Sequence, residues 1–149
     1  KDTEVRRYRD HLYVMRPMAA LDKTWSQVWE RPEDIITLPY ELGSLRLETK
    51  APLGLPSDIW TQKVCVRLRQ GGESFLLPGG KAHHELRKFF QEQGIPPWVR
   101  ERTPLVYVND TLIAIGDQWL GNAKDFGDES AHFSRIVWER FDAANYRPQ

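Results

Sequence analysis

Three features of this 149-residue chain have types and spacings that invite chemistry: the run Gly71-Gly72-Glu73-Ser74, the adjacent histidines His83 and His84, and the single cysteine Cys65. Two glycines ahead of an acid and a hydroxyl suggest a phosphate cradle. ATP-using ligases hold pyrophosphate with Ser-Gly-Gly-x-Asp-Ser, but Gln70 stands here in place of the first serine and no Asp-Ser follows at the right spacing. The chain has no Walker A loop and no Gly-x-Gly-x-x-Gly fingerprint. Gly71-Gly72 is better read as a tight turn that needs positive φ. On a helix, neighbouring histidines diverge by about 100° and cannot share a metal. With one cysteine and no His-x-x-x-His, a zinc site is not expected. Cys65 falls within a strand pattern, where a small packing residue is the default over a reactive thiol. Nothing marks a nucleophile elbow. The expectation is no catalytic residue and no metal ligand set.

What remains is positive charge and the elements that must position it. Residues 81–93 read as an amphipathic helix. On a wheel of about 100° per residue, Ala82, Leu86, Phe89 and Phe90 share one arc, and Lys81, His84, Arg87, Lys88 and Gln91 share the opposite one. Glu85 and Glu92 lie at the margin of the basic arc. Gly94 suits a left-handed helix end, and Ile95-Pro96-Pro97 forbids continuation. A solvated face and a phosphate-contacting face are both compatible with this spacing.

Composition narrows the partners. Charged residues make up 28% and hydrophobic residues 40%, as in an ordinary globular chain, and the formal net charge is zero. A freestanding nucleic-acid binder usually carries a basic balance, so any such role must rest on local patches. Residues 81–102 lean basic and 117–129 lean acidic. One cysteine excludes an internal disulfide framework and fits a reducing, cytoplasmic setting. No apolar run approaches the ~20 residues that span a bilayer, so no membrane role is expected. The opening Lys1-Asp2-Thr3-Glu4 suggests a piece of a longer protein, although tag removal or processing gives such starts too.

In chain order, Val5–Met15 reads as extended with a turn near Asp10-His11. Leu21–Glu30 suits a helix or a strand. Short strands follow at 35–38 and 43–48. Gln62–Arg69 is the best strand pattern, with Val64, Val66 and Leu68 on one face and Lys63, Cys65, Arg67 and Arg69 on the other. Phe75–Leu77 starts another strand. Pro96-Pro97 opens a helical turn over 98–102. The runs 104–108 and 111–115, joined by Asn109-Asp110, form a hairpin. Phe133–Trp138 is a last strand, and the tail 141–149 frays. Many short strands with few helices, the two not alternating, indicate α+β with a mainly antiparallel or mixed sheet and one principal amphipathic helix.

Read together, several runs carry a likeness. These are Val66-Arg67-Leu68-Arg69, Gly71-Gly72-Glu73, Gly79, Leu86-Arg87-Lys88-x-x-Gln91-Glu92-x-Gly94-Ile95-Pro96-Pro97-Trp98-x-Arg100, Pro104-Leu105 and Asn109-Asp110-x-Leu112. In this order and spacing they resemble the C-terminal domain of bacterial tRNA(Ile)-lysidine synthase, closely over residues 63–116. Residues 1–17, through Arg6-Arg7-Tyr8-Arg9 and Leu12-Tyr13, resemble the segment by which that family enters the domain, leaving 18–149 as the domain itself. Where the family often has arginine after the glycine before the helix, Gly80 follows Gly79. Leu-Lys-Lys becomes Leu86-Arg87-Lys88. Glu85 stands where a basic or small residue is common.

The resemblance implies a strand-rich α+β fold similar to a domain of the phenylalanyl-tRNA synthetase β-subunit. It implies a tRNA-recognition module of an ATP-dependent ligase that joins lysine to an anticodon cytidine of isoleucine tRNA. ATP and lysine would bind the catalytic domain, so this piece needs no cofactor and is not catalytic by itself. Its partners would be isoleucine tRNA with the CAU anticodon, met on the acceptor-stem side, and the other domains of the parent. Arg67, Arg69, Lys81, His84, Arg87, Lys88 and Arg100 would contact phosphate or ribose. Trp98 would pack under the Pro-Pro turn, the preferred reading, or stack on a terminal base. Glu73 would orient Arg69 or Arg87, and the acidic stretch 117–129 would face away from RNA. The rival reading is an interaction domain whose same helix face docks on its parent's neighbouring domains without touching RNA.

Overall fold

The computed structural model describes residues 3–15, 17, 20–123 and 132–140. The strands are β1 (Glu4–Tyr8), β2 (His11–Met15), β3 (Ser26–Val28), β4 (Ile36–Thr37), β5 (Ser44–Ala51), β6 (Leu55–Pro56), β7 (Val64–Arg67), β8 (Ser74–Leu76), β9 (His83–Glu85), β10 (Leu105–Val108), β11 (Thr111–Ile115), β12 (Trp119–Leu120) and β13 (Phe133–Glu139). Two short helices, α1 (Leu86–Glu92) and α2 (Pro97–Arg100), lie between β9 and β10, and a 3-10 turn spans Ser57–Thr61. Every strand pairing among the described residues is antiparallel. The α+β expectation holds. No helix of the described residues is long and apolar enough to cross a membrane.

Three layers result. A five-stranded sheet runs β12-β11-β10-β7-β3 and a four-stranded sheet runs β4-β5-β13-β6. The main core lies between them. Val64, Val66, Val106 and Val108 from one sheet meet Ile36, Leu45, Leu55 and Ile136 from the other, with Trp29 and Ile59 filling in. The opposite face of the five-stranded sheet is covered by α1 and the β8–β9 hairpin, where Cys65, Leu105, Tyr107, Leu112 and Ile115 meet Phe75, Leu86, Phe89 and Phe90.

This explains where the strand reading of 62–69 is incomplete. Val64, Cys65 and Val66 are all buried, because β7 is sandwiched between two layers, and period-2 patterning assumes one wet face. A bulge serves the same layering in β11. Val106 pairs with Ala114 but Tyr107 with Leu112, leaving Ile113 extra. Ile113 and Ala114 therefore both serve the intersheet core, while Leu112 and Ile115 serve the helix side.

The 104–115 hairpin forms around Asn109-Asp110 as expected, with Asn109 at φ 53°, a left-handed position that asparagine tolerates. Leu21–Glu30 resolves to an extended segment: β3 is an edge strand, and Trp29 is 1% exposed in the core. The tail 141–149 and residues 124–131, with Asp125, Asp128 and Glu129 of the acidic stretch 117–129, lie outside the described residues. Gly43 sits where β5 passes β13, at φ 101°, and a Cβ there would stand 1.9 Å from the Glu139 carbonyl oxygen. Both atoms belong to backbone, so neither yields cheaply. Gly43→Ala is expected to cost more than about 2 kcal/mol, read as a lowered midpoint of chemical unfolding.

Candidate nucleic-acid interface

The principal helix is shorter than the periodicity predicts. Residues 81–85 are not helical: His83, His84 and Glu85 form β9, paired in register with Leu76, Phe75 and Ser74. The reason lies just upstream. Leu77-Pro78-Gly79-Gly80 makes a turn closed by Gly80 N–H donating to the Leu77 carbonyl at 2.9 Å, with Gly79 at φ 75°. Proline followed by a left-handed glycine suits a type II turn, which sends the chain back beside β8. Helix α1 begins only at Leu86, whose N–H donates to the Glu73 carbonyl at 2.9 Å. Lys81 and His84 thus belong to the β8–β9 hairpin, not to the helix. His84 lies beside Phe75, with ring centroids 6.2 Å apart. His83 and His84 are adjacent on a strand, so their rings diverge.

Helix α1 presents Arg87, Lys88, Gln91 and Glu92 to solvent while Leu86, Phe89 and Phe90 are buried. The Arg87 and Lys88 side chains are each 69% exposed. Glu85 is not marginal to them: its carboxylate lies 3.9 Å from both the Arg87 guanidinium and the Lys88 ammonium. Pairs this exposed contribute little to stability, so both cations can exchange Glu85 for another anion. His83, His84, Glu85, Lys88, Phe89 and Glu92 line one shallow surface hollow. Lys81, His84, Arg87 and Lys88 are all exposed on this hairpin-and-helix unit.

The other four candidates are placed differently. Arg67 is half-buried, its guanidinium 4.3 Å from the Tyr107 ring centroid and 3.9 Å from the exposed Asp110 carboxylate. Arg69 is largely covered. Its Nε sits 3.9 Å from Glu73 and makes no hydrogen bond among the described residues. Glu73 chiefly serves its own turn, accepting from the Gln70 N–H at 2.7 Å and the Gly71 N–H at 3.1 Å. Trp98 is 7% exposed, its ring edge-on to Tyr13 at 5.3 Å and to Tyr8 at 6.4 Å. It packs inside and leaves no face on which a base could stack.

Arg100 is 6% exposed. Its Nε donates to the Ile95 carbonyl at 2.6 Å, and one Nη donates to the Tyr8 hydroxyl at 3.0 Å and to Gln91 Oε1 at 2.9 Å. Its Nε and one Nη are engaged, and they tie α2 to the end of α1 and to β1. The helical turn at Pro97 that carries Trp98 and Arg100 forms as expected.

Sequence reasoning missed Arg9. In the β1–β2 turn at φ 56°, it reaches across to donate to the Gln91 carbonyl at the end of α1, and its guanidinium lies 5.3 Å from the Tyr8 ring centroid. A cation suits that carbonyl end of a helix. The run Arg6-Arg7-x-Arg9 was visible, but which helix it would meet was not.

Burial beneath α1 and the nearby Glu73 carboxylate push the Tyr107 phenol up to about 12, against a partial lowering by Arg67. The phenol is therefore neutral in the fold through the range in which an unfolded tyrosine ionises, near pH 10. Below that pH its contribution is complete. As pH rises from about 10 towards 12 the unfolded chain loses this proton first, and stability falls by roughly 1.4 kcal/mol per pH unit from this group. Tyr107→Phe should lessen the drop in melting temperature between pH 9 and pH 11, and an unchanged drop would contradict the burial.

Comparison with known proteins identifies this arrangement. A family model described as the TilS substrate C-terminal domain matches residues 64–138, from β7 to Trp138 in β13. The chain is 37% identical over 120 residues to a tRNA(Ile)-lysidine synthase of Methylococcus capsulatus, covering 79% of this chain and 27% of that protein. It is 35% identical over 145 residues to one of Xanthomonas campestris pv. campestris, covering 97% and 32%, and 39% identical over 112 residues to one of Coxiella burnetii, covering 75% and 25%. It thus spans about a quarter to a third of these relatives. A solved structure titled "Crystal structure of TILS C-terminal domain" superposes with a TM-score of 0.54 at 19% identity, covering 80% of this chain and all of that one, and so shares the fold. The matched span takes in half of the chain, with the five-stranded sheet's centre, the β8–β9 hairpin and α1 inside it, so the chain belongs to the TilS substrate C-terminal domain family.

Proposed function

We propose that this chain is the tRNA-recognition domain of a cytoplasmic tRNA(Ile)-lysidine synthase. That enzyme would join lysine to the anticodon cytidine of isoleucine tRNA at the expense of ATP, with catalysis in other domains of the parent. The observation that carries the reading is the exposed set of Lys81, His84, Arg87 and Lys88 on the β8–β9 hairpin and α1, within the span that the family model matches. Contacts of this kind go to phosphate and ribose and set register without reading bases. A-form RNA is recognised mostly by shape and backbone, which suits a double-stranded acceptor stem. Arg100 ties α1 to α2 beside the unit through its bond to Gln91.

The rival reading, docking of the same face on neighbouring domains of the parent, draws on the zero net charge and on Glu85 beside both cations. Salt separates the two, because each phosphate contact steepens the fall of binding with salt. The test is titration of the chain with isoleucine tRNA carrying the CAU anticodon, and with a mismatched tRNA, at two salt concentrations. Salt-sensitive binding that prefers the cognate acceptor stem is the expected result. Salt-insensitive binding, or unchanged tRNA affinity of the full-length parent when Arg87 and Lys88 are both replaced by alanine, would favour docking.

A further inference from the structure

The β1–β2 hairpin treats its two faces differently. Register pairs Val5 with Val14, Arg6 with Tyr13, Arg7 with Leu12 and Tyr8 with His11. The inner face puts Tyr13 and Met15, both buried, against Trp98 of α2. The outer face carries Val5, Val14 and Leu12, which are 63%, 68% and 66% exposed, with Arg7 beside them. The other large exposed apolar residues among those described, Val28, Ile35, Tyr40 and Leu53, are scattered over separate elements. Three aliphatic side chains at adjoining positions on one face form the pattern of a strand pair covered on both sides.

We infer that this outer face is a domain interface, covered by the part of the parent chain that lies N-terminal to the hairpin. The Xanthomonas relative aligns over 97% of this chain, yet the chain makes up only 32% of it. The matched family is a C-terminal domain, so the remaining two-thirds belong before it, and β1 is the described strand they reach first. Patch size argues for the same occupant. A free partner or a second copy needs an interface of roughly 800 Å² on each side, far more than three aliphatic side chains supply. A covalently tethered neighbour arrives at high effective concentration and can use a small patch. RNA is a poor occupant, because the face offers aliphatic groups and one cation. Arg7 at its edge already donates through Nε to the Arg9 carbonyl at 3.2 Å, so the aliphatic groups are what the covering surface must meet. The inference rests on family membership and not on RNA contact by α1.

Photoactivated diazirine footprinting tests it, first on the unmutated proteins. The full-length parent and this chain are labelled side by side, with and without tRNA, and the peptide holding Leu12 and Val14 is compared. Labelling several-fold lower in the full-length parent, whether or not tRNA is present, is expected. Equal labelling in the two proteins overturns the inference. Protection that appears only with tRNA would make RNA the occupant, and protection in this chain that grows with its concentration would make it a second copy. Either result overturns the inference as well. Leu12→Asp in the full-length parent should raise labelling at Val14 while leaving β10 unlabelled, and no rise at Val14 would also overturn it.

Discussion

Arg100→Ala is expected to destabilise the domain by about 3 kcal/mol, the largest effect of any single side-chain truncation near the interface. Three hydrogen bonds from one cationic fork are lost, to the Ile95 carbonyl, the Tyr8 hydroxyl and Gln91. The Ile95 carbonyl is left in a buried setting without that donor. Against this, removing a guanidinium that is 6% exposed relieves its desolvation. That relief is why the figure stays near 3 and not near the sum of three charged hydrogen bonds. Arg100→Lys keeps the charge but not the fork, and should recover less than half of the loss. The damage should be directional. Tyr8 is on β1 and Gln91 on α1, so amide exchange should rise most in β1, β2 and the end of α1 and least in β10. Uniform acceleration, or a loss below about 1 kcal/mol, would show that Arg100 is not the tie described.

Arg87→Ala combined with Lys88→Ala should do the converse. Both side chains are 69% exposed and their only described ionic partner is Glu85 at 3.9 Å, so the pair should shift stability by less than about 0.5 kcal/mol. If both meet phosphate, tRNA affinity in the full-length parent falls at least roughly tenfold, about 1.4 kcal/mol. The slope of log affinity against log salt should also flatten by about 1.5, from two lost contacts at 0.7 to 0.9 each. Unchanged affinity and slope, with an unchanged melting temperature, would remove this face from RNA recognition. Together the two experiments separate a residue that builds the interface from residues that present it.

Much of this molecule was legible as local pattern. Asn109-Asp110 between two apolar runs dictates a hairpin, Pro96-Pro97 dictates a new helical turn, and Leu86, Phe89 and Phe90 at helical spacing dictate which side of α1 is buried. These follow from backbone sterics and hydrophobic periodicity within a few residues. The start of α1 was misplaced because Lys81-Ala82-His83-His84-Glu85 satisfies a helical wheel as well as it satisfies a strand, and a partner strand at Ser74–Leu76 settles the matter. The local signal for the hairpin is the Leu77-Pro78-Gly79-Gly80 turn, which a helical wheel does not register.

The candidate site divides in the same way. Residue types read with the family resemblance picked out eight candidates, and they could not separate cations that face water from cations that hold the fold. Arg87 and Arg100 look alike in the sequence. One stands on the open side of a single-layered helix. The other lies where a helical turn, a helix end and a distant hairpin converge, with Tyr8 92 positions away in the chain. Sequence by itself determined the family motifs, the fold class and the mismatch to a Ser-Gly-Gly-x-Asp-Ser loop, because those are written in neighbouring residues. Which arginines remain available to a partner was decided only by the tertiary structure, because burial is set by elements that meet in space from distant parts of the chain.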